Sequence, residues 1–217
     1  MILTDTQYRI AARLNLGLSP LSGIDTMSAE CIHCGKKEAM KQDPWHSLSC
    51  PKAMDDGGTI SIRHNAVVDA LWRSVLVMGG QAVREPKGLH HEDRRRPDLQ
   101  IVFPGQHLLT DVTISHPLTR ARCMRNHSLG GEASVARAMK ARKRSKYALT
   151  ASRQDARLLP FAMETCGGMA PDAVALLKAI SQGAQEQLGL WPHYEVIRHL
   201  VGSIAVLLIY LNSMAVS

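Results

Sequence analysis

Hydrophobic and polar positions along the chain change period several times, and each change marks an element. Near the start, Thr4 or Asp5 can cap a short helix with Tyr8, Ile10, Ala11 and Leu14 as apolar positions, ending at the Gly17-Leu18-Ser19-Pro20 turn. Residues 21–58 hold no sustained period and are rich in Cys, Gly, Asp and Pro, so something other than a core must order them. A helix follows over about 62–78, with Val67, Leu71, Val75 and Met78 on one stripe and Gly79-Gly80 stopping it. Three strand-like runs come next, at 81–85, 99–103 and 108–114, the last two joined by Pro104-Gly105. Residues 132–149 read as a long basic helix with Val135, Met139 and Tyr147 among its apolar positions. A fourth strand over 159–166 is closed by Gly167-Gly168, and Pro171 opens another helix through residue 180. Val201, Ile204, Ala205 and Leu208 then share one helical face, which predicts a packed terminal helix; Gly202, Ser203, Asn212 and Ser213 interrupt a stretch that barely reaches spanning length. The order is helix, three strands, helix, strand, an α/β arrangement over residues 59–217 behind a small module at 1–58.

Composition adds a core and a partner. Apolar residues make up 45% of the 217 positions, enough for a globular interior, but aromatics are only 4%, so aliphatic side chains and Met must fill it. The formal net charge is +7, and its distribution is one-sided. Between Arg84 and Arg157 stand 16 Lys/Arg against 7 Asp/Glu, of 26 and 19 in the whole chain, so all the net positive charge sits in the middle. That concentration favours a phosphate-binding face over an ordinary solvated surface. The first ten residues lack a basic segment leading into an apolar run, which argues against a signal peptide.

Five cysteines, three of them between residues 31 and 50, suit a metal site in a reducing compartment better than a disulfide framework. Cys31-x2-Cys34 and His46-x3-Cys50 offer four nitrogen and sulfur ligands, the set tetrahedral Zn²⁺ prefers, and Gly35 eases the turn after the first pair. Incidental buried cysteines are the plainer alternative. His33 is a spare imidazole that could compete with His46.

Two acids form the second constellation. Asp98 opens one strand of the Pro-Gly hairpin and Asp111 lies on the other, so antiparallel pairing can bring both carboxylates to one end. Paired carboxylates repel unless a divalent cation sits between them, and hard Mg²⁺ prefers oxygen ligands. A metal held there could polarise a scissile phosphate and acidify an attacking water. Glu85 and Glu164, near strand ends, are further candidate ligands, although such acids are more often solvated or capping. His64 could orient a phosphate or simply pair within the fold. Cys123 and Cys166 have no partner at ligand spacing and are read as packing residues.

The ordered set CxxC…HxxxC, Arg63-His64-Asn65, Glu85-Pro86, Arg96-Pro97-Asp98, Asp111-Val112-Thr113-Ile114-Ser115-His116-Pro117, Lys143-x2-Lys146-Tyr147 and PFAMETCGG resembles a known arrangement. It is similar to the C-terminal CCHC zinc knuckle and restriction-like endonuclease of site-specific LINE-type (non-LTR) retrotransposon proteins, over about residues 31–168. The resemblance implies a PD-(D/E)XK nuclease core and Mg²⁺-dependent nicking of target DNA for target-primed reverse transcription. Asp98 and Asp111 would match the metal-binding acids. Thr113 stands where that superfamily usually has Lys. In the retrotransposon nucleases a lysine of the following helix takes over, which implies a catalytic role for Lys143, with Lys146 and Tyr147 beside it. Arg63, His64, Arg94, Arg95, Arg96, Lys140, Arg142 and Arg144 are the expected DNA-binding set. The expected partners are duplex DNA, retrotransposon RNA and a reverse-transcriptase domain absent from this chain, with no membrane and a nuclear location. Two other readings stand beside the enzyme: a decayed nucleic-acid-binding relic of such a module, and a zinc-stabilised protein-interaction domain.

Overall fold

The computed structural model describes residues 3–16, 18–19, 30–37, 39–55, 57–89, 96–118, 131–188 and 192–216. Helix α1, Asp5–Asn15, starts at a reciprocal capping box in which Thr4 and Gln7 satisfy each other's backbone N–H. A short helix α2, Ala39–Gln42, and two 3₁₀ turns, His46–Leu48 and Pro51–Met54, follow in the cysteine module. Helix α3, Thr59–Val77, begins three residues earlier than the apolar stripe suggests and ends where expected.

Strands β1 (Gln81–Arg84), β2 (Leu99–Phe103) and β3 (Gln106–Thr110) form an antiparallel meander, and β3 pairs in parallel with β5 (Arg157–Leu158). Strand β4 (Val112–Ser115) pairs in parallel with β6 (Phe161–Glu164). The expected third strand is thus split in two, and the expected fourth, over 159–166, is realised as β6 with the short β5 just ahead of it. Leu108 pairs with Arg157 and Val112 with Phe161, so the register offset is the same on both sides of the break. The chain runs on through Asp111 and Pro160, and Pro160 has no N–H to give the ladder. Asp111 therefore occupies a break in an otherwise continuous ladder, its carbonyl still accepting from the Phe161 N–H at 3.1 Å.

Strand alternation sorts the side chains onto two faces. Leu99, Ile101, Phe103, Leu108, Val112, Phe161 and Met163 join the main core with α3, with α5 (Pro171–Leu188) and with α6 (His193–Val216). Phe103 is clasped between Gly80 and Gly183; a Cβ on Gly80 would come within 2.6 Å of its ring. The opposite face carries α4, Ser134–Arg153, which comes close because Ala136, Ala162 and Ala170 are small and buried together there. Asp111 and Thr113, out of phase with Val112, point to the α4 side. The crossover β4–α4–β6 gives the order helix, four strands, helix, two strands, with a mixed four-stranded sheet β1-β2-β3-β5 beside a two-stranded sheet β4-β6.

Helix α6 is long and apolar enough to cross a membrane by length and composition. Here its Val196, Leu200, Ile204 and Leu208 stripe is buried in the main core, and Ala215 and Val216 pack with Ile10 and Leu14 of α1, Met40 and Leu48. The cysteine module is thereby docked on the far end of α6.

Candidate functional site

Four residues of the N-terminal module come together as their spacing suggests. The ligand atoms of Cys31, Cys34, His46 and Cys50 lie within 4.8 Å of one another, and these residues could hold a metal ion such as zinc. Around a tetrahedral ion with metal–sulfur bonds of about 2.3 Å the ligands stand roughly 3.7 Å apart, so the set needs only to contract slightly. Gly35, at φ +64°, turns the chain so that its N–H reaches the Cys31 carbonyl at 2.8 Å. Cys34 Sγ lies 3.4 Å from His46 Nε2, and that contact, with a backbone hydrogen bond, lowers the Cys34 thiol to about 7. Burial pushes Cys50 up to about 11. His33 is outside the set: its Nε2 meets Thr59 Oγ1 at 3.0 Å and anchors the loop to the start of α3.

The acids converge at the other end of the sheet. Leu99 pairs with Thr110, so Asp98 and Asp111 are next in line on adjacent antiparallel strands. Asp98 Oδ2 accepts the Val112 N–H at 2.6 Å, and its Oδ1 lies 3.4 Å from His64 Nε2 on α3. Asp111 is 3% exposed. Its Oδ2 forms an ion pair with Lys143 Nζ from α4. Burial raises the Asp111 carboxyl above its ordinary range, the Asp98 charge adds to the rise, and Lys143 opposes it. Lys143 and the Tyr147 hydroxyl together do not fully offset burial and the second acid.

Tyr147, four residues on from Lys143, is buried and its hydroxyl donates to the Arg96 carbonyl at 2.9 Å. It thus ties α4 to the strand that delivers Asp98, and the same side chain lies within hydrogen-bonding reach of the Asp111 carboxylate. Lys146 lies beside Tyr147. It is exposed, with its ammonium 4.5 Å above the Tyr147 ring, while Lys143 is the lysine that pairs with Asp111; residues three apart on a helix are offset by about 60°. Glu85 is exposed at a left-handed φ of +42°, and its backbone N–H bonds the Asp98 carbonyl at 2.9 Å. What the described contacts bring to Asp98 is the Glu85 backbone.

The DNA-binding expectations divide. Arg96 and Arg142 are exposed, and His64 is half-buried at the acids. Arg94, Arg95 and Cys123 lie outside the described residues. Arg63 is corrected: at 2% exposed it cannot reach a nucleic acid. Its guanidinium donates to Leu48 O at 3.2 Å and Asn212 Oδ1 at 2.9 Å, and burial lowers it to about 10. Lys140 and Arg144 are partly committed to Asp172, at 4.0 and 2.5 Å, and so hold α4 to the first turn of α5.

Two functional contacts carry no local sequence signal. Glu164 caps α4 from β6: its Oε1 accepts the N–H groups of Val135 at 3.0 Å and Ala136 at 3.3 Å, where Ala133 provides no side-chain cap. The capping reading of Glu164 is therefore the one observed. A second chain of contacts runs from Arg63 to Asn212, whose Nδ2 donates to Thr165 O at 2.9 Å. Thr165 Oγ1 meets His116 Nδ1 at 2.6 Å, and the His116 ring lies 4.8 Å from Trp45, next to ligand His46. The loop between Cys34 and Cys50 is thus joined at Trp45 and Leu48 to α3, α6 and the ends of β4 and β6. Cys166 sits at that end as well, 3.6 Å from Glu164 Oε2, which helps burial raise its thiol. No protein-family model matches this chain, and no curated protein is significantly similar to it.

Proposed function

We propose that the chain is the zinc-knuckle and DNA-cutting module of a non-LTR retrotransposon protein, a Mg²⁺-dependent endonuclease of the PD-(D/E)XK kind. It would nick duplex DNA in the nucleus so that the exposed 3′ hydroxyl primes reverse transcription by a polymerase domain outside this chain. Retrotransposon RNA is a second expected ligand, and α6 serves as a core helix with no membrane role. The observation that carries the reading is the ion pair between Lys143 and Asp111 beside Asp98. It supplies a lysine where Thr113 leaves none, which favours the enzyme over the decayed relic and over a protein-interaction domain. The order α3, β1 to β4, α4, then β5 and β6 agrees with the helix, strands, helix, strand succession of a PD-(D/E)XK core.

The donor set fits a hard divalent cation. A buried carboxylate raised by a second acid is relieved by positive charge, and both acids offer oxygen. Asp98 and Asp111 would hold that ion, which when bound polarises the phosphate and acidifies water. Lys143, already at Asp111, places its ammonium to face charge developing on the phosphate. Tyr147 fixes the distance between α4 and the Asp98 strand. Arg96, Arg142 and Lys146, all exposed, would take flanking phosphates. The Cys31, Cys34, His46 and Cys50 set would hold a structural Zn²⁺. Incubation of the zinc-loaded protein with supercoiled plasmid tests the reading: open circles should form with Mg²⁺ and not with EDTA. Plasmid left supercoiled across a range of divalent ions would reject it.

A further inference from the structure

Resting on the metal-site reading above, we propose that His64 is a positioning residue for the acidic centre: it fixes the Asp98 carboxylate without itself binding the ion or the DNA. The two oxygens of Asp98 have different surroundings. Oδ2 is held by the Val112 N–H at 2.6 Å, a backbone donor that cannot swing away. Oδ1 is the oxygen left to turn toward a cation, and His64 Nε2 stands 3.4 Å from it. With its hydrogen on Nε2, the imidazole can donate to one lone pair of Oδ1 and leave the other to the metal, and such contacts tighten once a site fills. A ligating carboxylate that is itself hydrogen-bonded loses less rotamer freedom on binding.

His64 is also unusually well aimed for a residue on a helix surface. Arg63, its neighbour, is buried and bonded to Leu48 O and Asn212 Oδ1, so α3 cannot rotate about its axis without breaking both. The rotation of α3 that buries Arg63 sends His64 toward the acids. Its side chain is 33% exposed, against 19% for Asp98, so the imidazole closes the α3 side of the site without being part of the core. Val112 N–H below and His64 beside then leave Asp98 facing Asp111 and Lys143.

The test is Mn²⁺ binding to zinc-loaded protein, followed by electron paramagnetic resonance of the free ion, for wild type, His64→Ala, His64→Phe, His64→Gln and Asp98→Ala. Loss of the donor in His64→Ala and His64→Phe should weaken binding about 10- to 100-fold, the usual effect of removing a partner of a ligand. His64→Gln, which keeps an N–H donor, should bind within a few-fold of wild type, and melting curves should show all variants folded. The phenylalanine variant keeps the ring, so a packing defect in the alanine variant alone is recognised. Unchanged affinity in both donor-less variants would overturn the proposal. Equal weakening in His64→Gln would overturn it too, by making the imidazole itself a ligand. Wild type and Asp98→Ala binding Mn²⁺ equally poorly would instead remove the metal-site reading, and the positioning role with it.

Discussion

Arg63 and His64 are neighbours in the chain, yet only His64 reaches the acids, and the difference can be measured. Arg63→Ala should cost about 3 kcal/mol, because two buried acceptors lose their donor, while DNA affinity of the folded fraction stays unchanged; denaturant titration and filter binding give the two numbers. Weakened DNA binding without lost stability would return Arg63 to the nucleic-acid face. Asp111 bears the opposite kind of strain. Its carboxyl is raised by burial and by Asp98, so the folded state holds that proton more tightly than the unfolded chain does. Stability from this group is therefore present at acid pH and is lost as pH rises through the folded value. Without divalent ions, Asp111→Asn should melt at or above wild type at neutral pH, by roughly 2–4 °C per kcal/mol in a chain of this size, and its advantage should shrink on acidification. Mg²⁺ should raise the wild-type melting point and leave the variant's unmoved.

Among elements, the cysteine module and the sheet are mechanically joined. A local reading of residues 31–50 suggests that losing a ligand would loosen that loop alone. Leu48 and Trp45, however, contact Arg63 and His116, and Asn212 links those contacts to Thr165. Cys34→Ser or chelation should thus raise hydrogen exchange in the first turns of α3 and the last turns of α6 as well as in the loop. Exchange confined to residues 31–50 would show the junction to be inert. This is also where reading the sequence runs out. The four metal ligands are legible because they fall within twenty residues and a tight turn presents them. The acids are legible because a Pro-Gly hairpin sets their register. Arg63 bonds a residue 149 positions away, and Glu164 caps a helix 28 and 29 positions before it, contacts no local pattern encodes. The split of the third strand and the short β5 ahead of the fourth were hidden for another reason: Pro160 interrupts the pairing but leaves the apolar run intact on either side. Which of Lys143 and Lys146 meets Asp111 was not legible, because helical spacing does not say how far each side chain reaches.

For the whole molecule, the charge excess between residues 84 and 157 should appear as a salt-dependent affinity for duplex DNA. Arg142→Ala and Lys146→Ala should each lower the slope of log K against log salt by up to about 0.9. Lys140→Ala and Arg144→Ala should change it less, since both are engaged with Asp172. Equal effects in the two pairs would mean that Asp172 does not hold its partners when DNA binds. Binding alone does not separate a live nuclease from a relic, and the chemistry decides that. The most direct measurement is the single-turnover nicking rate with saturating Mg²⁺ and protein, for wild type, Asp111→Ala, Lys143→Ala and Thr113→Ala. Wild type should nick, Asp111→Ala and Lys143→Ala should each fall about 10³-fold, equivalent to about 4 kcal/mol of transition-state stabilisation, and Thr113→Ala should stay within a few-fold of wild type. A Lys143→Ala protein that nicks at the wild-type rate, or a wild type no faster than Asp111→Ala, would contradict the assignment of catalysis to these side chains.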